Sequence, residues 1–305
     1  MSYRKITSDP YLTARMRFHQ SYYRDQVLKV PAGTGPTRNA NSVLGNMLRW
    51  EDGQRGLNFL TPAIFKHAQD RLNDTGAVEP FRLLCNMLSS QPMCFNLFGP
   101  LIDDKELARN IVSVITGDTV DAVSRVAIEY APEPCAEFLN DRTAFDAFIE
   151  YTSQGEHCFV GIETKLTENF SPKVYSAAKP GYARWLDLDK SPFIKKDWPV
   201  LTASNCNQLW RDHLLAIAML NHPASSYIRG TLLVVHHPED IQCSKTTKNY
   251  LGHLDPNNPM LRIMDLGQLF DVIEAAATPV HDQWCKSFRQ RYLDLSFSQA
   301  VWDLL

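Results

Sequence analysis

The segment TAFDAFIEYTSQGEHCFVGIETKL, residues 143–166, decides the fold. Two runs rich in aromatic and β-branched residues flank Gln154-Gly155, and such a joint reads as the two-residue loop of a tight hairpin. Ser153 then faces Glu156, and counting outward places Asp146 directly across from Glu163. Opposed residues of an antiparallel pair point to one face with Cβ atoms about 5 Å apart. Lys165 shares that face because strand side chains alternate with a period of two. Phe145, Ala147, Ile149, Val160, Ile162 and Leu166 turn the other way.

Two carboxylates at that spacing repel each other unless positive charge lies between them or one takes up a proton. A hard divalent cation resolves the conflict. Mg²⁺ takes one or two protein carboxylates, keeps several waters and leaves positions for phosphate oxygens. It lowers the pKa of a bound water and stabilises charge building on phosphorus, while Lys165 would orient that water or hold the scissile phosphate. The plainer reading is a cross-strand ion pair beside a solvated carboxylate. The apolar neighbours weigh against it, because an unpaired charge among them is expensive.

Outward from the hairpin, VSRVAIEYAP supplies a further run, and the three together suggest a three-stranded meander. Helical periodicity dominates from about 59 to 98, with Pro92 expected to kink or end a helix, and LIDDKELARNIVSVI reads as another helix with an acidic first turn. Beyond the hairpin, SNCNQLWRDHLLAIAML reads as an amphipathic helix capped by Ser204 or Asn205. YIRGTLLVVHHPED reads as a buried strand followed by a loop, LRIMDLGQLFDVIEAA as a short strand entering a helix, and QWCKSFRQRYLDL as a final helix. This order describes an α/β core with flanking helical additions.

Asp146, with Glu163-Thr164-Lys165 after a hairpin, resembles the active-site signature of the PD-(D/E)xK nuclease superfamily, with Thr-Ala-Phe-Asp standing for the nominal Pro-Asp. SSQPMCFNLFGPL, AIEYAPEP, TAFDAFIEY and GIETKLTE together resemble a group of prokaryotic restriction-endonuclease-like proteins over most of residues 80–215. The resemblance implies a restriction-endonuclease-like α-β-β-β-α-β core with a mixed central sheet. It gives a basic, mainly helical extension over 1–78 and a nuclease-like domain with C-terminal helices over 79–305. It implies Mg²⁺, with Mn²⁺ as a substitute, and a nucleic-acid substrate, DNA ahead of RNA, cut by a cytoplasmic enzyme that is free to form a homo-oligomer.

Within that likeness Asp146, Glu163 and Lys165 are the catalytic residues, and Glu129 is an additional metal carboxylate, or else a surface residue. Gln208 and Arg211 lie one turn apart on a helix, either touching phosphates or forming its wet face. Glu168 is an accessory residue. Gln91 and Asn96 are expected to contact nucleic acid or to cap a helix. The alternative function is a non-catalytic nucleic-acid-binding or assembly protein on the same fold; a hydrolase of small phosphodiesters is a third.

Bulk properties fit this reading without carrying it. The chain has 305 residues, 44% hydrophobic, with formal net charge -3. Residues 1–50 hold eight basic side chains against Asp9 and Asp25, a segment read as solvated surface ahead of a phosphate track. Five further cations, Lys173, Lys179, Arg184, Lys195 and Lys196, fall beside the proposed site in sequence. The seven cysteines lack C-x-x-C spacing, which argues for small buried hydrophobes in a reducing compartment rather than zinc ligands or disulfides. No apolar run is long enough for export or membrane spanning. His236-His237 are adjacent on a strand and so make a poor joint ligand pair, and no G-x-S-x-G elbow supports acyl transfer.

Overall fold

The computed structural model describes residues 5–36, 42–74, 78–186, 188, 192–194, 197–203, 205–257 and 260–305. The chain forms two compact units. The first comprises Met1–Pro100, Leu166–Glu168 and Glu274–Leu305, the second Leu101–Lys165 and Asn169–Ile273. In chain order the helices are α1 (Tyr11–Tyr23), α2 (Trp50–Gln54), α3 (Pro62–Asn73), α4 (Pro80–Cys85), α5 (Ser90–Asp103), α6 (Lys105–Thr116), α7 (Pro180–Leu186), α8 (Trp198–Leu201), α9 (Asn207–Asn221), α10 (Ile241–Leu251), α11 (Leu266–Ala276), α12 (Asp282–Tyr292) and α13 (Gln299–Asp303). The strands are a short pair, β1 (Gly33–Thr34) and β2 (Val43–Leu44), and then β3 (Ala122–Tyr130), β4 (Phe145–Ser153), β5 (Glu156–Lys165), β6 (Tyr227–His236) and β7 (Leu261–Asp265).

In the second unit β3 to β7 form one mixed sheet in chain order. The expected meander is present, with β3, β4 and β5 antiparallel. Gln154 and Gly155 both hold left-handed backbone (φ 55° and 76°), which the tight turn between twisted strands requires. The register follows from that turn, running from Ser153↔Glu156 to Ala147↔Ile162. β6 and β7 continue the sheet in parallel.

Parallel neighbours need a crossover of a dozen or more residues. α9 lies in the first, between β5 and β6. The second holds α10, where the sequence reading expects a loop after His236-His237. That expectation is corrected because α10 buries Cys243, Thr246, Thr247 and Tyr250, a face of small polar residues and one phenol with no apolar period to read. Its start is nevertheless encoded, since the Asp240 side chain accepts a hydrogen bond from Cys243 N at 2.8 Å.

α9 covers one face of the sheet and packs on β6. Leu209, Trp210 and Leu214 share one buried cluster with Phe148 and Phe159, whose rings lie 5.6 Å apart. Cys206 occupies the cap position of α9 without a side-chain bond; of the two residues expected there, Asn205 is exposed and does not cap it, and Ser204 lies outside the described residues. On β3 packs α6, capped by Asp104 through Leu107 N at 2.8 Å.

The first unit is mainly helical. Pro92 neither kinks nor ends a helix; it sits in the first turn of α5, where its missing N–H is not needed, and the helix runs on to Asp103. α12 is not the last helix, since α13 follows it. Arg15 and Arg24 of the basic segment are neither solvated nor free to follow a phosphate backbone. Both are buried. Arg15 donates to Ser298 Oγ at 2.8 Å and to the Leu295 carbonyl, and Arg24 to the carbonyls of Gly45 and Val30. Spacing could not show this, because a guanidinium carries five donors that main-chain carbonyls satisfy as well as phosphate does.

Replacing Asp240 by Ala should cost about 1 kcal/mol. A lower urea midpoint at unchanged slope would register it.

Candidate active site

The register places three carboxylates in one row. Glu129 of β3 falls between the pairs Ile128↔Ala147 and Tyr130↔Phe145, and its charge acts on Asp146 of β4. The β4–β5 pairing ends at Ala147↔Ile162, and Asp146 and Glu163, the next residues on each strand, lie close enough for the charge of Glu163 to act on Asp146. Glu129 holds a left-handed backbone (φ 56°), a conformation that costs a side-chain-bearing residue about 1–3 kcal/mol and collects at functional sites.

Glu163 and Lys165 are buried side by side on β5 and form an ion pair of 2.8 Å. Gln208, on the first turn of α9, clamps the pair. Its Nε2 donates to Glu163 Oε1 at 2.7 Å, and its Oε1 accepts from Lys165 Nζ at 3.2 Å and from Ser171 N at 2.8 Å. The reversed amide would turn hydrogens toward the ammonium and oxygen toward the carboxylate, so charge fixes its orientation. The Phe170 ring lies 5.0 Å from the Lys165 ammonium. Asp146 is held from the neighbouring strand, as Oδ2 accepts from Thr164 N at 2.7 Å and Thr164 Oγ1 at 2.8 Å.

Burial, reinforced by the negative charges of Glu163 and Glu129, pushes the Asp146 carboxyl well above the usual carboxylate range despite the opposing pull of Lys165. Asp146 itself keeps partial solvent contact. A second acid behaves alike. Asp212, one turn beyond Gln208 on α9, is buried, and its Oδ2 has no hydrogen-bond partner among the described residues. Burial and then Glu163 raise its carboxyl well above the ordinary value, with Asp146 adding to the effect. The sequence reading did not single out Asp212, although an acid four residues after Gln208, between Trp210 and Leu214, was a legible sign of a shared polar stripe.

The remaining positions are engaged elsewhere. Arg211 pairs with Asp141 at 3.0 Å, bonds Thr143 Oγ1 and stacks 4.0 Å from the Tyr175 ring. Burial opposes ionisation of Asp141, but hydrogen bonds from Thr143 and Tyr182 together with the Arg211 charge hold it below the usual range. In the first unit, Glu168 accepts from the backbone N–H groups of Ser90, Leu166 and Thr167. Gln91 lies on the first turn of α5, and its N–H donates to Ser89 Oγ. Asn96 is fully buried, bonding Leu60 N, Asn58 O and Tyr292 Oη, so it is part of the core and unavailable to nucleic acid.

The donor set fits a hard divalent ion. It consists of oxygens, crowded enough that Glu163 raises the proton affinity of Asp146 and Asp212, with Asp212 Oδ2 buried and without a hydrogen-bond partner among the described residues. Among the described residues no three His, Cys, Asp or Glu side chains form a ready metal cluster. An open site of one or two carboxylates completed by water is the Mg²⁺ pattern, and a closed cage is not required.

The family model of the PD-(D/E)XK nuclease superfamily matches residues 7–294, and the chain belongs to that superfamily. Its five-stranded mixed sheet flanked by helices is the restriction-endonuclease-like architecture implied by the motif. No curated protein and no solved structure matches the chain.

Raised carboxyl values set a direction for stability. Above the ordinary carboxylate value of 3.8, the unfolded chain releases protons that folded Asp146 and Asp212 retain, so their contribution falls as pH rises. In chelator at neutral pH, Asp146→Asn and Asp212→Asn should each stabilise by about 1–2 kcal/mol. Mg²⁺ should raise the Tm of the native protein more at pH 8 than at pH 5. Thermal unfolding at both pH values, with and without the ion, reads both effects.

Proposed function

We propose that this protein is a Mg²⁺-dependent phosphodiesterase that cleaves nucleic acid, DNA ahead of RNA. The observation that carries the reading is the row Glu129, Asp146 and Glu163 on three adjacent strands, beside a Lys165 ammonium fixed by Gln208. An ion pair serving only to join strands would need one acid. Here additional carboxylates crowd the same place at a cost to one another.

In this reading Asp146 and Glu163 hold the metal, with Glu129 beside them. When bound, the ion supplies a water of lowered pKa and neutralises charge building on the phosphoryl group. Lys165 positions the attacking water or donates to a nonbridging phosphate oxygen. Gln208 bonds both members of the Lys165–Glu163 ion pair and so fixes their orientation, and Thr164 fixes the rotation of Asp146. Arg211 acts through the ion pair with Asp141, holding the segment before β4 against α9.

Positive charge for the strand comes from the segment after β5. Lys173 and Lys179 are exposed, and each packs over the Tyr175 ring, at 4.8 and 5.1 Å. Arg184 donates to the carbonyls of Ala136, Glu137 and Phe138, so it acts in the fold. Lys195 and Lys196 lie outside the described residues. Among the described residues no helix is long and apolar enough to cross a membrane.

Incubation of the protein with supercoiled plasmid and with oligonucleotides, in Mg²⁺, Mn²⁺ or chelator, tests the proposal. Cleavage should require the ion, and Asp146→Ala and Lys165→Ala should each lower it at least 100-fold while circular dichroism stays native. Undiminished Mg²⁺-dependent nicking by both variants would remove the assignment; metal-indifferent binding without turnover would favour the scaffold alternative.

Binding should also weaken as salt rises. Lys173→Ala and Lys179→Ala should each reduce the slope of log K against log[salt] by about one. A flat slope for the native protein would exclude phosphate contact by this segment.

A further inference from the structure

Beside Lys165 the second unit carries a cleft of about 280 Å³, bordered by Asn169, Phe170, Asn205, Gln242, Cys243 and Thr246. Its walls come from the segment after β5, the residue two before α9 and the first turns of α10. Phe170 joins it to the candidate site, since the same ring lies 5.0 Å from the Lys165 ammonium. Cys243 is close enough to feel the charges of both Lys165 and Glu163, though burial is the main reason its thiol is pushed up to about 12. A thiol so protonated is neither a nucleophile nor a soft metal ligand at neutral pH.

The lining selects its occupant by chemistry. Among the described residues no Lys or Arg borders the cleft, which does not favour a phosphate, and no carboxylate borders it, which does not favour a cation. What it presents is neutral and amide-rich. Asn169, Asn205 and Gln242 are exposed carboxamides, and no hydrogen bond among the described residues engages their side chains. Each offers a donor and an acceptor, Thr246 adds a hydroxyl, and Phe170 and Pro172 supply apolar surface. A flat heterocycle with donors and acceptors along its edge matches this set, as carboxamides read base edges and aromatic or apolar side chains take base faces.

We propose that the cleft receives the nucleobase next to the phosphate handled at Lys165, so that the protein cuts strands in which that base is unpaired. The proposal rests on the nuclease reading above and narrows its substrate. A base inside a duplex cannot enter such a cleft without leaving its stack, which favours single strands, frayed ends and mismatches.

Two measurements on the full chain separate this inference from the reading beneath it. The first is Mg²⁺-dependent cleavage of an end-labelled oligonucleotide, single-stranded or fully paired, with an abasic position moved along it. Single strands should be cut about ten-fold faster or more, and an abasic position beside the cut should lower kcat/KM about ten-fold. The double variant Asn205→Ala/Gln242→Ala should show that loss on the intact strand and no further loss on the abasic one. Equal cutting of duplex and single strand with a flat abasic scan overturns the cleft assignment and leaves the nuclease standing.

The second is the fluorescence of 2-aminopurine placed at successive positions of the single strand, in chelator, where turnover plays no part. A change confined to one position and lost in the double variant supports the base cleft even if no substrate is cut, in which case only the catalytic reading fails. A signal that ignores position, or survives the double variant, overturns the cleft.

Discussion

A two-residue turn governs the chemistry of this chain. Gln154 and Gly155 close the hairpin without slack, and from that point the pairing of β4 with β5 is fixed residue by residue. Slipping by one would turn every side chain of β5 to the opposite face, swapping the partners of Phe159 and Ile162 and separating Asp146 from Glu163. The apolar faces therefore enforce the arrangement of the acids. Free energy from packing Phe148, Phe159 and Trp210 holds together charges that would otherwise move apart.

Once the acids are held in place, their repulsion is met by specific devices rather than by solvent. Lys165 pairs with Glu163, the Gln208 carboxamide bonds and orients both, and Thr164 turns Asp146. α9 serves two ends at once. Its apolar side covers the sheet, while Asn207 bonds the backbone of Tyr175 and Thr202, tying down the segment that carries Lys173 and Lys179. The same crossover that a parallel β6 demands thus brings the polar residues to the strand ends. In open sheets of this kind the carboxyl ends of parallel strands are where ligands bind.

How much of this could be read from the sequence depended on the range of the interactions. The hairpin, the register, the meander and the opposition of Asp146 to Glu163 are local consequences of turn chemistry and a period of two, and they were legible. The nearness of Glu129 to Asp146 was suggested only through likeness to a family pattern; its left-handed backbone has no sequence signal, since Glu is a poor choice for it. α10 was missed because its buried face is made of Cys243, Thr246, Thr247 and Tyr250, which leave no hydropathy period. Asp212 was passed over as one polar residue of an amphipathic helix, and only the packing of α9 reveals that it is enclosed. Arg15 and Arg24 looked like surface cations because charge alone does not disclose that carbonyls 280 residues away, or on a nearby loop, will enclose it.

That enclosure has an electrical consequence. Arg15, Arg24 and Arg291 of the first unit all lie in its interior, their guanidinium groups directed at carbonyl and hydroxyl oxygens. The long-range potential felt by an approaching polyanion weights each charge by its depth, so this unit attracts phosphate less than a count of its basic residues suggests. In the proposed function, electrostatic capture would fall to the cations that stay in water, Lys173 and Lys179 among them. The orientation in which a strand first meets the protein would be selected during diffusion, before any short-range contact forms.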